Sequence, residues 1–487
     1  MCFNNVKKWV AAIPRKNLVL IHGDKTHDEL VTDYVIHPNS MLYRLCDWIG
    51  AKTGTVILTP HLVAVGNCAE DVYFGLLKAR RERKKLFILW PYELPWRLKF
   101  GLTNIEVINI GSEYRAFCHD SLICIISRIL ITVYFAFFRS LSLLRRLVFG
   151  AHLNNVYRIP IIGESTLWHP VNERNFSWDV VEGYDWPKQL ETLLPVFVEK
   201  NKREEAERQR KLMGLPNDAW FVCLHVRESG FRDTSRFTEG DAYSERNAKV
   251  FNYISAIEEI TRRGGWVVRM GDASMTRLPI MERVIDYPFT KYKSALMDVY
   301  LISQCQLYIG MMTGIYDVAR VFQRPMIMTN MTNWLFTYPI LKDDLGIPKH
   351  IYSKSKKRFL SLREWLYEPW AGVSCAHKIG NDYIFYENSP EELREVVVEF
   401  LDRTSGWAAS ALQIEFSRTR IERGKELLSQ IIYHEDDVQH YYKKNVTDYD
   451  LVERYRLASR LEAAVGVLGS NYAQQNWACD IMNSDVR

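Results

Sequence analysis

The residues with the most chemistry to offer stand just behind three short apolar runs. FVCL (221–224) is followed by His225, Val226, Arg227, Glu228 and Ser229. WVVRM (266–270) carries Arg269 and ends on Gly271-Asp272, and LYIG (307–310) leads through Met311-Met312 to Thr313-Gly314 and a helical pattern. Two permanent cations, a hydroxyl and a glycine-bearing helix start are the ingredients of a diphosphate site. Amides at a helix N-terminus favour phosphate, and a guanidinium matches its oxygens in a fork. Each residue also has a plainer use. Arg227 can pair with Glu228 or Asp233, Arg269 with Asp272 or Asp298, and Gly271 and Gly314 can be ordinary turn glycines. Convergence at neighbouring strand ends is what favours the anion site. Glu228, His225 and Asp241, with Asp233 behind them, are the candidate proton acceptors. Ion pairing with Arg232, Arg236 and Arg246 is their competing use.

The elements that must hold these residues follow from periodicity. In the second half, FVCLHV (221–226), WVVRMGD (266–272), LYIG (307–310) and RPMIMTN (324–330) read as strands buried on both faces. Between them, Val250, Tyr253, Ile254 and Ile257 recur at helical spacing before Gly264-Gly265, and 295–305 and 314–322 also read as helices. In the first half, NLVLIHG, HLVAVGN (61–67), KLFILWP (85–91) and IEVINIG (105–111) read as strands with helices between. The chain is therefore expected to be α/β, with two Rossmann-like doubly wound domains facing across a cleft and helices after them. The expected domains are 1–205, 206–410 and a helical tail 411–487, with the charged stretch before Gly214 marking the boundary. Gly66 and Asn67, at the end of an expected strand, are the acceptor-side candidates. Glu70 and Asp71 open the helix that follows.

Length and composition set the frame. At 487 residues the chain exceeds one ordinary domain. With 63 Lys+Arg against 58 Asp+Glu, the net charge of +5 is too small and dispersed for a nucleic-acid module. Nine cysteines, an odd number with no C-x-x-C pair, point to neither a disulfide framework nor a zinc site. The opening MCFNNVKKWVAAIPRKN has no long apolar core, so no secretory signal is expected. A cytoplasmic setting follows, in which the N-x-S/T triplets at Asn175, Asn330 and Asn445 carry no sugar. Residues 121–150 are very apolar, but Arg128 and Arg139 interrupt any span of about 20 residues. Two readings remain, a basic amphipathic helix on the inner face of a membrane and a buried helix pair.

Taken together, FVCLHVRESGFRDT, ERNAKVFNYISAIEEITRRGGWVVRMGD and MDVYLISQCQLYIGMMTGIYDVARVFQRP (about 220–335) resemble a family of bacterial glycosyltransferases of the two-Rossmann GT-B arrangement. HLVAVGNCAEDVYFGLLKA matches that family more loosely. The H-x-R strand end is also similar to that of the fucosyltransferase superfamily, where the equivalent arginine holds the nucleotide diphosphate. The resemblance implies transfer of a hexosyl or related sugar from a nucleotide-activated donor to a glycan or lipid-linked acceptor, in cell-surface polysaccharide assembly. It implies an inverting outcome, no bound metal and no cofactor beyond the donor as co-substrate. Arg227, Arg269, Gly271, Asp272, Thr313 and Gly314 would then hold the nucleotide. Two departures stand out: Glu228 where aspartate is commoner, and the apolar Met311-Met312 before Thr313. A nucleotide-sugar epimerase or hydrolase of the same shape, or a catalytically silent scaffold, are the alternatives.

Overall fold

In this computed structural model the described residues are 18–22, 32–36, 48–58, 60, 65–90, 92, 104–117, 119–133, 195–229, 244–334, 338–339, 341–367, 382–403, 407–430 and 464–478. The chain divides into two compact units, Met1–Tyr184 with His434–Tyr455, and Asp185–Tyr433 with Arg456–Arg487.

In the first unit, β1 (Leu18–His22) pairs antiparallel with β2 (Thr32–Ile36). A β–α–β element follows: β3 (Thr55–Leu58) runs parallel to β4 (Lys85–Ile88), joined by helix α1 (Val65–Arg81). Gly75 lets α1 press onto the two strands, since a Cβ there would come within 2.9 Å of Leu58 Cδ2 and 3.1 Å of Leu86 Cδ1. Three expectations change here. NLVLIHG joins an antiparallel pair instead of the parallel layer. HLVAVGN does not form a strand through Gly66-Asn67, because α1 has already begun at Val65. IEVI is the short helix α2 (Ile105–Ile108), capped by Asn104 Oδ1, which accepts from Glu106 N at 2.8 Å. A four-residue apolar run fits strand or helix equally, and the Asn cap decides.

Helix α3 (122–133) is amphipathic in the inverted sense. Its polar side docks inward: Arg128 Nε donates to Trp90 O at 3.1 Å, and its guanidinium stacks on the Trp90 and Tyr92 rings. Thr132 Oγ1 accepts from Tyr92 N at 2.8 Å. Leu122, Ile123, Ile126, Ile129, Leu130 and Val133 are exposed. Among the described residues no helix is long and apolar enough to cross a membrane.

The second unit is a mixed α/β layer around an all-parallel seven-stranded sheet. Helix α4 (Lys200–Leu212) precedes β5 (Phe221–Leu224), so the expected boundary at 205 falls inside a helix of this unit. Then come α5 (Ile254–Arg262), β6 (Trp266–Arg269), β7 (Val284–Asp286), α6 (Ala295–Gln304), β8 (Leu307–Gly310), α7 (Gly314–Val321), β9 (Met326–Met331) and β10 (Leu345–Pro348). The sheet order is β14 (Val467–Leu468)-β10-β9-β8-β5-β6-β7. Strands β5, β8, β9 and β10 are buried at every position, because helices cover both faces. α4 packs on α6, and α5 packs on the later helix α9 (Pro390–Asp402).

A small antiparallel sheet of β11 (His350–Ser353), β12 (Arg358–Phe359) and β13 (Tyr383–Tyr386) follows β10. It is flanked by α8 (Leu362–Tyr367) and α9 (Pro390–Asp402). The expected tail is no separate body. α10 (Ala411–Gln430), β14 (Val467–Leu468) and α11 (Ser470–Asn476) pack on one another, and β14 forms the edge strand beside β10. Gln413 Nε2 donates to Leu468 O at 2.6 Å, and Trp477 meets Phe416 edge-on at 5.2 Å.

Candidate functional site

The sheet of the second unit changes its direction of growth at β5. From β5 the chain adds β6 and β7 on one side, then crosses to build β8, β9 and β10 on the other. At such a switch point the connections leave to opposite faces and open a crevice beyond the carboxyl ends of the strands. His225 and Thr313 stand at the two ends that border it, joined through His225 Nδ1 and Thr313 Oγ1 at 3.3 Å.

Thr313 is the N-cap residue of α7, with extended backbone, yet its side chain makes no capping bond. Its hydroxyl is engaged by His225 instead, which leaves the amides at the start of α7 uncapped by that side chain. Gly314, the first helical residue, is half-buried. Met311 has a different use from the one its apolar character suggested, because the Arg227 N–H lies 3.2 Å from its Sδ and ties the two loops together. Burial, followed by the charge of Arg269, pushes the His225 imidazole down to about 3. A ring that stays neutral through physiological pH serves as a hydrogen-bond partner and is a weak proton acceptor.

Arg227 is half-buried, and its NH1 donates to Asn247 Oδ1 at 2.5 Å. Lys349, the residue after β10, reaches the backbone of the same asparagine, its Nζ donating to Asn247 O at 2.6 Å. Burial, aided by Arg227, lowers the Lys349 ammonium to about 8 against the pull of Glu387 and Glu245. Glu245 carries a carboxyl raised by burial, which Arg246, Arg227 and Lys349 partly offset. Asn247, Lys349 and Glu245 were not singled out from the sequence. Lys349 lies far along the chain from Arg227, and only the parallel sheet, with every carboxyl end on one edge, makes them neighbours.

Arg269 and Glu228 are corrected by the geometry. Arg269 is wholly buried, and its NH1 donates to Asp286 Oδ1 at 3.1 Å. Its NH2 donates to Glu228 Oε2 and to Thr276 O, each at 3.0 Å. Glu228 also accepts from Thr276 N at 2.8 Å, so its carboxylate is committed to a clamp on the loop after β6 and not to a reacting hydroxyl. Gly271 and Asp272 shape that same loop. Gly271 has φ 141°, and a Cβ there would meet Met275 Sδ at 2.1 Å. Asp272 Oδ1 accepts from Ser274 N at 2.8 Å. Asp241 lies outside the described residues. Gly66 and Asn67 stand in the first turn of α1 in the other unit.

Asn330, next to last in β9, has φ 51°, a left-handed value that asparagine tolerates better than most residues. Its N–H donates to Asn388 Oδ1 at 2.7 Å, and Asn388 N returns the bond to Asn330 Oδ1 at 2.8 Å. Being buried, Asn330 is closed to glycosylation. Tyr253 and Thr329 continue the network to Gly310 O, the last residue of β8. Cys68, Cys124, Cys223 and Cys305 are buried. Among the described residues no group of three or more His, Cys, Asp or Glu is arranged to hold a metal ion.

No protein-family model matches the chain, and no curated protein matches it. Two solved structures are similar in part. One is a glycosyl transferase of family 9 from Veillonella parvula, 13% identical over 28% of this chain and 37% of that chain, with a TM-score of 0.20. The other is the UDP-GlcNAc 2-epimerase of Methanocaldococcus jannaschii in complex with UDP-GlcNAc and UDP, 14% identical over 60% of this chain and 64% of that one, with a TM-score of 0.17. The chain thus spans less than two thirds of either. Similarity at this level carries no argument about the reaction, and what stands is a mixed α/β protein whose parallel sheet opens at β5 and β8.

Proposed function

We propose that the chain is a glycosyltransferase that moves a sugar from a nucleotide-activated donor to a glycan or lipid-linked acceptor. One observation carries the reading: Arg227 and Lys349 converge on Asn247 beside the switch point, where α7 begins without a side-chain cap. When a glycosidic bond to a nucleoside diphosphate breaks, negative charge builds on the departing phosphate. Cations and amides already in place stabilise that charge without reorganisation. Here a guanidinium, an ammonium and helix amides share it, which is the form the reaction takes without a metal. We assign Glu245, whose carboxyl feels the charge of both Arg227 and Lys349 and is raised by burial, to accept the proton of the attacking hydroxyl. A single displacement with one such base inverts the anomeric centre.

Thermal unfolding with UDP, GDP, dTDP and CMP tests the reading. A ligand at a hundred times its dissociation constant stabilises the folded state by about 2.7 kcal/mol, so one nucleotide should raise the midpoint by several degrees. No shift with any of them would sink the proposal. Donor consumption that is independent of acceptor would point to an epimerase or hydrolase instead.

The exposed stripe of α3 supports contact with a lipid surface at the site of glycan assembly. Its six outward residues are apolar, Arg128 faces inward, and the sequence continues to Arg139, Arg145 and Arg146, which suit anionic headgroups. Ile126→Glu with Leu130→Glu should cut co-sedimentation with anionic vesicles about tenfold and leave nucleotide binding unchanged. Equal sedimentation of wild type and variant would remove the lipid contact.

A further inference from the structure

The small antiparallel sheet starts beside the crevice and carries a face of rings. Its strand β11 begins at His350, one residue after the Lys349 whose Nζ reaches Asn247. The register sets Tyr352 opposite Phe359 on β12 and Ile384 on β13, and His350 opposite Tyr386. Directly opposed residues share a face. These five side chains therefore lie on one side of the sheet, while Ile351 and Ser353 are buried on the other. Phe359, Tyr386 and Ile384 are 50%, 46% and 38% exposed. We propose that this face binds an acidic glycan acceptor outside the crevice, an inference that names the acceptor class and rests on the transferase reading.

Three observations carry it. The first is continuity. β11 leads away from Lys349, and the steps from His350 to Ser353 cover about 10 Å at the usual strand rise. An acceptor whose reacting end meets the crevice would run on along the rings.

The second is the character of the face. Phe359 stands edge-to-face with Tyr386, Tyr352 and His350, at ring-centroid distances of 5.2, 5.4 and 6.4 Å. Rings braced by one another hold their orientation. Ile384 is the one aliphatic member, whereas the two tyrosines bring hydroxyls and the histidine a ring nitrogen. Sugars are apolar on their C–H faces and polar at their rims, so this mixture suits them better than it suits lipid tails.

The third is charge. The turn from β11 into β12 reads Lys354-Ser355-Lys356-Lys357-Arg358, and all its cations are exposed. Two carboxylates hold the turn in shape. Glu364 accepts from Lys356 Nζ at 3.0 Å and from both terminal nitrogens of Arg358 at 2.6 Å. Asp382 accepts from Ser355 N at 2.8 Å and from the Ser353 and Ser355 hydroxyls at 3.0 Å. Lys357 takes φ 54°, a left-handed value that disfavours a lysine. A fixed surplus of positive charge thus ends the row of rings, and sugar carboxylates complement it.

Calorimetry with hexagalacturonate and maltohexaose, beside sedimentation with phosphatidylglycerol vesicles, tests the assignment. Wild type should bind hexagalacturonate about tenfold more tightly than maltohexaose, and the gap should close as salt screens the turn. Lys354→Glu with Lys357→Glu, and separately Phe359→Ser, should each weaken hexagalacturonate about tenfold. Both variants should keep the wild-type rise in unfolding temperature with nucleotide, which reports a folded chain and an intact crevice. Absent hexagalacturonate binding, or binding unchanged in either variant, would overturn the glycan face and leave the transferase reading on its nucleotide shift. Vesicle sedimentation that falls in the variants, with no glycan bound by wild type, would overturn it in favour of a lipid surface. A wild type that no nucleotide stabilises would remove the transferase reading and the acceptor assignment with it.

Discussion

Arg227→Ala is expected to lower turnover about 10²–10³-fold, the usual consequence of removing one preorganised charge-stabilising donor, while the variant stays folded. Arg227 is half-buried, and its guanidinium donates to a side-chain carbonyl, Asn247 Oδ1. Truncation should therefore cost the fold little and the reaction much. The nucleotide-induced rise in unfolding temperature should shrink in the same variant. Arg227→Lys should recover only part of the loss, because an ammonium cannot grip two phosphate oxygens in one plane. Steady-state assay of donor and acceptor consumption, with unfolding curves beside it, measures all of this. Wild-type turnover in Arg227→Ala would remove the residue from the mechanism.

The second large effect falls on stability. Arg269→Met should destabilise the chain by about 3–5 kcal/mol, the range found when one partner of a buried ion pair is removed. Arg269 has no exposed surface and stands between Glu228 and Asp286, which are 13% and 20% exposed. Without the guanidinium the two carboxylates face each other across a cavity, and Thr276 O loses a donor. Denaturant unfolding of the single variant, and of the double variant Arg269→Met with Glu228→Gln, separates the contributions. The double variant should lose less than the sum of the two singles, since the second change removes a charge that the first has stranded. A loss below about 1 kcal/mol for Arg269→Met, the scale of an exposed pair, would contradict the clamp.

How legible all this was varies with the kind of information required. FVCL, WVVR, LYIG and MIMT read as strands because each lies between helices and is covered on both faces, a condition that leaves a continuous apolar run in the sequence. Once they are strands, the positions of Arg227 and Thr313 follow, since loops after the carboxyl ends of parallel strands border the crevice of an open sheet. The role of Arg269 did not follow. A cation closing a strand looks the same in sequence whether it turns to a ligand or to carboxylates, and here Asp286, on the neighbouring strand β7, decided the matter. Lys349 was invisible for another reason. It sits in the unremarkable string GIPKH, and only the register of β10 beside β9 directs it to the crevice. In the first unit the failure was local. HLVAVGN has the composition of a strand, yet it leads into a helix that Gly75 allows to press against Leu58 and Leu86.

The placement of β14 has a consequence for biosynthesis. Residues 467–468 complete the edge beside β10, more than a hundred positions after that strand has left the ribosome. Through that interval β10 carries a row of unmet backbone groups, the kind of template on which nascent chains stick to one another. The sheet that borders the crevice is therefore finished late, and a chain cut short ahead of residue 464 would retain Arg227 and Lys349 but lack the strand that shields the sheet edge from aggregation.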